Sequence, residues 1–241
     1  MTGVRKEMTM TGLSAWAADF ANTFYKCFIR EDRYKLLLSG IGVTIRVSLI
    51  AVALGILIGL IVALCNLSNK KLLKVIGGIY TDIIRGTPSV TQLMIIYFVI
   101  FATVNIPKWI IAGIAFGINS GAYVSEIIRA GILSVDKGQT EAGRSLGLNG
   151  YQTMIHIVIP QAVKNIFPAL CNEFIVLIKE TAIVGYVGLM DIQKAGDFIK
   201  SATFIAFMPL IGTAVIYYVL IKLLTLVFKK IEERLRKSEI R

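Results

Sequence analysis

Histidine is nearly absent from these 241 residues, with a single copy at position 156, and the three cysteines, Cys27, Cys65 and Cys171, lie far apart with no metal-ligand spacing. A lone imidazole has no histidine partner for a metal pair, and no nearby Ser or Cys sets up a triad pattern. His156 therefore reads as a loop or interface residue and the cysteines as apolar fillers. Charged residues are also scarce, at 17%, and unbalanced, with 26 Lys and Arg against 15 Asp and Glu. A net charge of +11 invites comparison with nucleic-acid binders, but the basic residues fall mainly between and after apolar runs. Membrane topology accounts for that distribution, and no nucleic-acid partner is expected. None of the apolar runs alternates with period two, which argues against a transmembrane barrel. No nucleophile, base and metal set clusters in the chain, which argues against a membrane enzyme. The first residues hold Arg5 and Lys6 but then Thr, Gly, Ser and Asp, with no unbroken apolar core, so a cleaved signal peptide is not expected.

What the chain has in abundance is apolar length: 56% of residues are hydrophobic and the mean hydropathy is +0.72. Hydrocarbon offers the backbone no hydrogen-bond partner, so runs of this kind cross a membrane as helices. Five are long enough: Ile41 to Cys65, Ser89 to Val104 with an extension back through GGIYTDIIRGTP, Trp109 to Leu133, Ala162 to Val187, and Phe204 to Phe228. Upstream, Leu13, Trp16, Ala17, Phe20, Phe24 and Phe28 fall on one helical face, either in the membrane interface or as a packing helix. Gly55 and Gly59 in GILIG permit close helix contact. Lys70, Lys71 and Lys74, the polar stretch holding Arg129, Lys137, Arg144 and Lys164, and the tail KKIEERLRKSEIR all fall on one side of five spans. By the positive-inside rule that side is cytoplasmic and the N-terminus lies outside, although Lys26, Arg30, Arg33 and Lys35 stand there too. Arg46 and Lys222, near span ends, are expected to snorkel to water. The expected organisation is an extracytoplasmic or interfacial segment over 1–35, a transmembrane domain over 36–228 with a polar loop at 134–160, and a cytoplasmic tail over 229–241.

The polar loop contains EAGRSLGLNGYQTMIHIVIP at 141–160. Glu141 to Leu146 suits a helix, Gly147 suits a left-handed stop, and Asn149 with Gly150 suits a turn. Tyr151 to Ile159 then forms a second short helix, and Pro160 marks the beginning of span four. Glu141, Ala142, Gly143, Gly147, Ile157, Ile159 and Pro160 match a spaced pattern that resembles the EAA loop of ABC importer permeases. IIRGTPSVTQLMIIYF at 83–98, NSGAYVSEIIRAGI at 119–132 and NEFIVLIKETAIVGYVG at 172–188 resemble the polar amino-acid uptake branch of that family.

The resemblance implies an all-α integral membrane fold, a five-helix type I ABC importer permease core with a cytoplasmic coupling helix spanning Glu141 to Gln152. It implies partners: a cytoplasmic ABC ATPase dimer, an extracytoplasmic amino-acid-binding protein, and a second permease copy or sister permease, all within membrane lipids. The chain has no Gly-x-x-x-x-Gly-Lys-Ser/Thr run to cradle phosphates, so no cofactor is expected here, and ATP with Mg belongs to the ATPase. Ala142, Gly143 and Gly147 would supply the small contact surface. Glu141 would either meet a basic group on the ATPase or stand solvated at a helix start, where the dipole favours it.

Charges inside spans are costly and mark functional candidates. Asn119, Tyr123 and Glu126 share a helical face and either hold a substrate or leave Glu126 paired with Arg129. Glu173 and Lys179 either bind the two ends of an amino acid or serve ion pairs, Lys179 with Glu180 among them, and Pro168 is expected to bend the helix before them. Arg85, Gly86, Thr87 and Pro88 mark a helix break that the resemblance makes important. The competing function is a self-sufficient secondary transporter or channel for a small polar solute, but no repeat relates the two halves.

Overall fold

The structure, a computed structural model, describes residues 15–236. Leu13 of the N-terminal stripe and the last five residues of the tail lie outside that range. Among the described residues the regular structure is helical throughout. A helical segment at 15–24 passes through a π turn, Tyr25–Ile29, and a tight turn, Arg30–Asp32, in which Glu31 and Asp32 adopt positive φ. Arg33 braces that corner, donating to the Lys26 carbonyl at 2.8 Å and to the Glu31 carboxylate at 2.7 Å.

The corner feeds α1, Tyr34–Leu67, which starts seven residues before the apolar run does. Its 34 residues extend about 50 Å at 1.5 Å per residue, well beyond the ~30 Å hydrocarbon layer. Then come α2, Lys71–Arg85, and α3, Ser89–Ile100, which ends in a π turn, with an angle of 103° between the pair. The expected second span is thus not one rod with a backward extension. Pro88 lacks an N–H and takes an extended conformation, so the α2 ladder cannot continue through it. α4 is Lys108–Leu133. In the polar loop α5, Lys137–Ser145, is capped by Asp136, whose carboxylate accepts from the Gly138 N–H at 2.6 Å. α6, Gly150–Thr153, runs through a π turn into α7, Ile159–Glu180, so the second loop helix continues into the span instead of stopping at Pro160. After a 3-10 stretch, Thr181–Val187, come α8, Ile192–Thr203, and α9, Phe207–Arg236.

Three helices are long and apolar enough to cross a membrane alone, Tyr34–Leu67, Lys108–Leu133 and Phe207–Leu235, and the bent α2/α3 pair passes the same test only when its two helices are taken together as one broken span. α7 occupies the place of the remaining expected span. Its 22 residues reach about 33 Å, but Lys164, Glu173, Lys179 and Glu180 dilute its apolar character. α8 has no counterpart among the sequence expectations. Phe204, expected to open the last span, instead sits in a left-handed turn at 95% exposure.

Glycines set the order of the helices. A Cβ on Gly113, Gly117 or Gly121 of α4 would meet Ile50, Leu54 or Ile58 of α1, and one on Gly55 or Gly59 of α1 would meet Ser120 or Val124 of α4. Numbers rise together along both helices, so α1 and α4 run parallel. α7 runs antiparallel to them, since Ile166 lies against Gly131 while Glu173 reaches Ser120. The beginnings of α1, α4 and α9 therefore share one end of the molecule, and the polar loop sits at the other.

Candidate functional site

Two regions carry polar chemistry in places where an apolar bundle has no structural need for it. The first is the loop between α4 and α7. Gly147 takes φ +84°, a conformation in which an L side chain is strained, and it turns the chain after α5. Asn149 and Gln152 form a reciprocal capping box with bonds of 2.9 and 3.0 Å, which fixes where α6 starts. The stretch Glu141 to Gln152 is thus two helices meeting at a capped turn, the helix, stop at Gly147 and turn at Asn149 and Gly150 that the residues predict. At its tip Leu146 is 82% exposed and Tyr151 75% exposed. Neither was singled out in the sequence, because an apolar residue in a membrane chain carries no signal until its exposure is known.

Two expectations for the loop change. Gly143 is buried, and a Cβ there would lie 2.8 Å from Ile157 Cδ1 and 3.0 Å from Thr153 Cγ2. Its smallness lets α5 close onto α6 and the π turn that follows it and does not face outward, whereas Ala142 and Gly147 are exposed. Glu141 is the fifth residue of α5, past the first turn where the helix dipole acts, so a helix-start role no longer accounts for it. His156 is exposed, with Nδ1 3.0 Å from the Gln152 carbonyl oxygen.

The second region is a groove of about 800 Å³ between α4 and α7, lined in part by Arg85, Tyr123, Glu126 and Glu173. A cavity of about 490 Å³ adjoins it and shares Arg85, Tyr123 and Glu126. The Arg85 guanidinium stands 5.4 Å from the Tyr123 ring centroid, within cation–π range. Glu126 forms the i,i+3 ion pair with Arg129 at 2.7 Å, as the simpler alternative required. Glu173 is only 9% exposed, and its carboxylate accepts a 2.8 Å hydrogen bond from the Ser120 hydroxyl. Among the described residues it makes no ion pair, so the protein-cation alternative has no partner here and the Ser120 hydroxyl is its hydrogen-bond partner.

Asn119 and Lys179 do not join this set. Asn119 donates to the Gln92 Oε1 at 2.9 Å, and Gln92 in turn donates to the Ile84 and Thr87 carbonyls at 2.7 and 3.2 Å and to the Thr87 hydroxyl at 2.6 Å. This chain satisfies the carbonyls freed at the Arg85-Gly86-Thr87-Pro88 break. A Cβ on Gly86 would lie 2.8 Å from the Asp82 carbonyl oxygen, which explains a glycine at the corner. Lys179 is exposed on α7 and is not among the residues lining the groove, and among the described residues it makes no salt bridge with Glu180. Asp191 was also missed: fully buried at the start of α8, it accepts from the Gln193 and Lys194 N–H groups and from the Tyr217 hydroxyl at 3.0 Å, tying α8 to α9. Among the described residues no three His, Cys, Asp or Glu side chains are placed to hold a metal.

The fold is that of a multi-pass helical membrane chain with a polar interior groove and a capped, exposed loop at one end. Residues 55–237 match the family described as binding-protein-dependent transport system inner membrane component. The chain is 42% identical over 201 residues to a putative glutamine transport system permease protein of Rickettsia bellii, covering 83% of this chain and 92% of that one. It is 40% identical over 205 residues to an arginine transport system permease protein of Bacillus subtilis, covering 84% and 94%. The crystal structure of an amino acid ABC transporter with histidines matches with a TM-score of 0.78 and 43% identity over 86% of this chain and 98% of that chain. The chain belongs to the inner membrane component family of binding-protein-dependent transport systems, whose members are ABC importer permeases.

Proposed function

We infer that this chain is the permease subunit of an ATP-driven ABC importer that carries polar amino acids into the cytoplasm by alternating access. The observation that carries the reading is the α5/α6 knuckle. It is capped at both helices and leaves Leu146 and Tyr151 exposed. A cytoplasmic ABC ATPase dimer fits there, holding ATP and Mg, which this chain has no phosphate-binding run to hold. A second copy or sister permease completes the pore, and an extracytoplasmic binding protein delivers the amino acid. The relatives' names include glutamine, arginine and cystine, all polar amino acids. In the groove, Glu173 suits the substrate ammonium and Arg85 its carboxylate, Tyr123 and Glu126 complete the wall, and Asn119 acts through Gln92. A self-sufficient carrier would not need the knuckle.

The test is reconstitution with a candidate ABC ATPase and amino-acid-binding protein. Uptake should require all three components and ATP. Gly147→Val should leave the complex assembled while lowering uptake per ATP hydrolysed, because a β-branched residue at φ +84° costs about 1–2 kcal/mol and shifts the knuckle. No atom lies within 4 Å of a Cβ at this position, so the effect would come from the backbone alone. ATP-independent uptake by this chain alone would overturn the assignment.

A further inference from the structure

The corner between α2 and α3 is tied to α4 by two buried carboxamides, Gln92 in the first turn of α3 and Asn119. A buried amide is costly unless its bonds are made, and the bonds these two make converge on the backbone around Arg85. The Gln92 amide nitrogen donates to the Ile84 carbonyl at 2.7 Å and to the Thr87 hydroxyl at 2.6 Å. The Ile84 carbonyl belongs to the peptide that leads into Arg85, and Thr87 stands two residues beyond it. The chain is therefore gripped on both sides of the point where the guanidinium arm is attached. Gln92 Oε1 accepts from the Asn119 side chain at 2.9 Å, which extends the grip to α4.

The α2 limb is held by the same part of α4. The Tyr80 hydroxyl donates to the Ile118 carbonyl at 2.5 Å, and a Cβ on Gly121 would lie 2.9 Å from that hydroxyl. Residues 118–123 thus bind α2 at Ile118, bind α3 at Asn119, and carry Tyr123, one turn on and on the same face, beside the Arg85 guanidinium at 5.4 Å. The corner itself is open: Arg85, Gly86, Thr87 and Pro88 are exposed, and the helix direction changes by 103° across them. Among the described residues the Arg85 guanidinium forms no salt bridge, and Glu126 on the same wall is engaged by Arg129 at 2.7 Å.

On the reading of the groove as the amino-acid site, we propose that Gln92, tied to α4 through Asn119, is the positioning residue for Arg85. Through Arg85 it sets the groove's preference for a free α-carboxylate over the same amino acid with that group amidated. A guanidinium recognises a carboxylate by paired, planar hydrogen bonds, and such geometry survives only where the supporting residues hold it to within about 0.5 Å. Releasing the tie costs carboxylate recognition. It leaves Glu173, which stands on α7 and bonds with Ser120, free to meet the ammonium.

The assembled complex of permease and ATPase, without binding protein, is titrated with L-glutamine and its α-amide and with L-arginine and its α-amide, at a pH where every α-ammonium is charged. Omitting the binding protein leaves selection to the permease. For at least one pair the wild type should bind the acid roughly ten- to a hundred-fold more tightly than the amide, the usual worth of hydrogen bonds to a charged group. Arg85→Gln should abolish that ratio. Gln92→Met, which keeps the length and removes the donors, should lose most of it by weakening the acid alone, and Asn119→Leu should act in the same direction. A wild-type ratio in Gln92→Met alongside its loss in Arg85→Gln would overturn the positioning role and leave the groove reading standing. Equal weakening of acid and amide in Gln92→Met would also overturn it, as the mark of a purely structural residue. Should Gln92→Met not assemble, Thr87→Val, which removes one acceptor, reads the same ratio, and an unchanged value there and in Asn119→Leu would overturn the role. A wild-type complex that binds neither acid, or binds acid and amide equally, would overturn the groove reading and the positioning role together.

Discussion

Glu173 shows how a single side chain changes meaning once its neighbours are known. A carboxylate within a span requires compensation, and sequence alone points to a cation, whether substrate or protein. The Ser120 hydroxyl supplies one hydrogen bond, and among the described residues no cation pairs with the carboxylate. Glu173→Gln should therefore keep the complex yield near that of the wild type, because the amide oxygen still accepts from Ser120. Losing a charged hydrogen bond to the substrate ammonium, worth about 1.5–3 kcal/mol, should weaken apparent uptake affinity by roughly ten- to a hundred-fold. Uptake per assembled complex measures this, and a wild-type value would remove Glu173 from the substrate path. Gly147 was legible from sequence because one residue type suits its backbone conformation. Gln92 and Ser120 were not, since their partners lie 27 and 53 residues away and a lone Gln or Ser in an apolar run carries no pattern.

At the level of elements, the glycine ladder between α1 and α4 holds the bundle in register. Without a hydrophobic drive between helices in lipid, association rests on close packing, and small residues permit it. Gly59→Leu should be the most disruptive change along this seam, since even a Cβ would fall 2.6 Å from Val124 Cγ1 and 3.0 Å from the Ser125 backbone nitrogen. Overpacking of this kind costs about 1–3 kcal/mol or more, so the yield of detergent-stable chain should fall. Gly42→Leu, where nothing lies within 4 Å, should leave it unchanged. Equal yields from the two variants would mean that α1 and α4 do not depend on this contact. Apolar run length gave the positions of α1, α4 and α9 well, because hydrocarbon imposes it. It failed for α8, a short amphipathic helix held by the Asp191 cap and by Tyr217, and it could not show that the residues around Pro88 form a corner rather than a kinked rod.

At the scale of the whole molecule, the helix directions form a single consistent set. α1, α4 and α9 start at one end, α7 runs back antiparallel to α1 and α4, and the α2/α3 pair joins the far end of α1 to the beginning of α4. The chain thus leaves the bundle on the same side as the polar loop, the parity that five crossings require. This side should be cytoplasmic, because Lys70, Lys71, Lys74, Lys137, Arg144, Lys229 and Lys230 gather there while the opposite end has a smaller net positive charge. Labelling with a membrane-impermeant maleimide measures the orientation directly. Cys27 on the outer side is a silent background: it is fully buried, and burial pushes its thiol above the ordinary value despite the opposing effects of Thr203 and Arg33. With Cys65 and Cys171 replaced by Ala, Asn105→Cys in the exposed connection before α4 should label in intact cells. Lys230→Cys near the end of α9 should label only after permeabilisation. Labelling of Lys230→Cys in intact cells would invert the molecule and place the Leu146 and Tyr151 knuckle outside, away from any cytoplasmic ATPase.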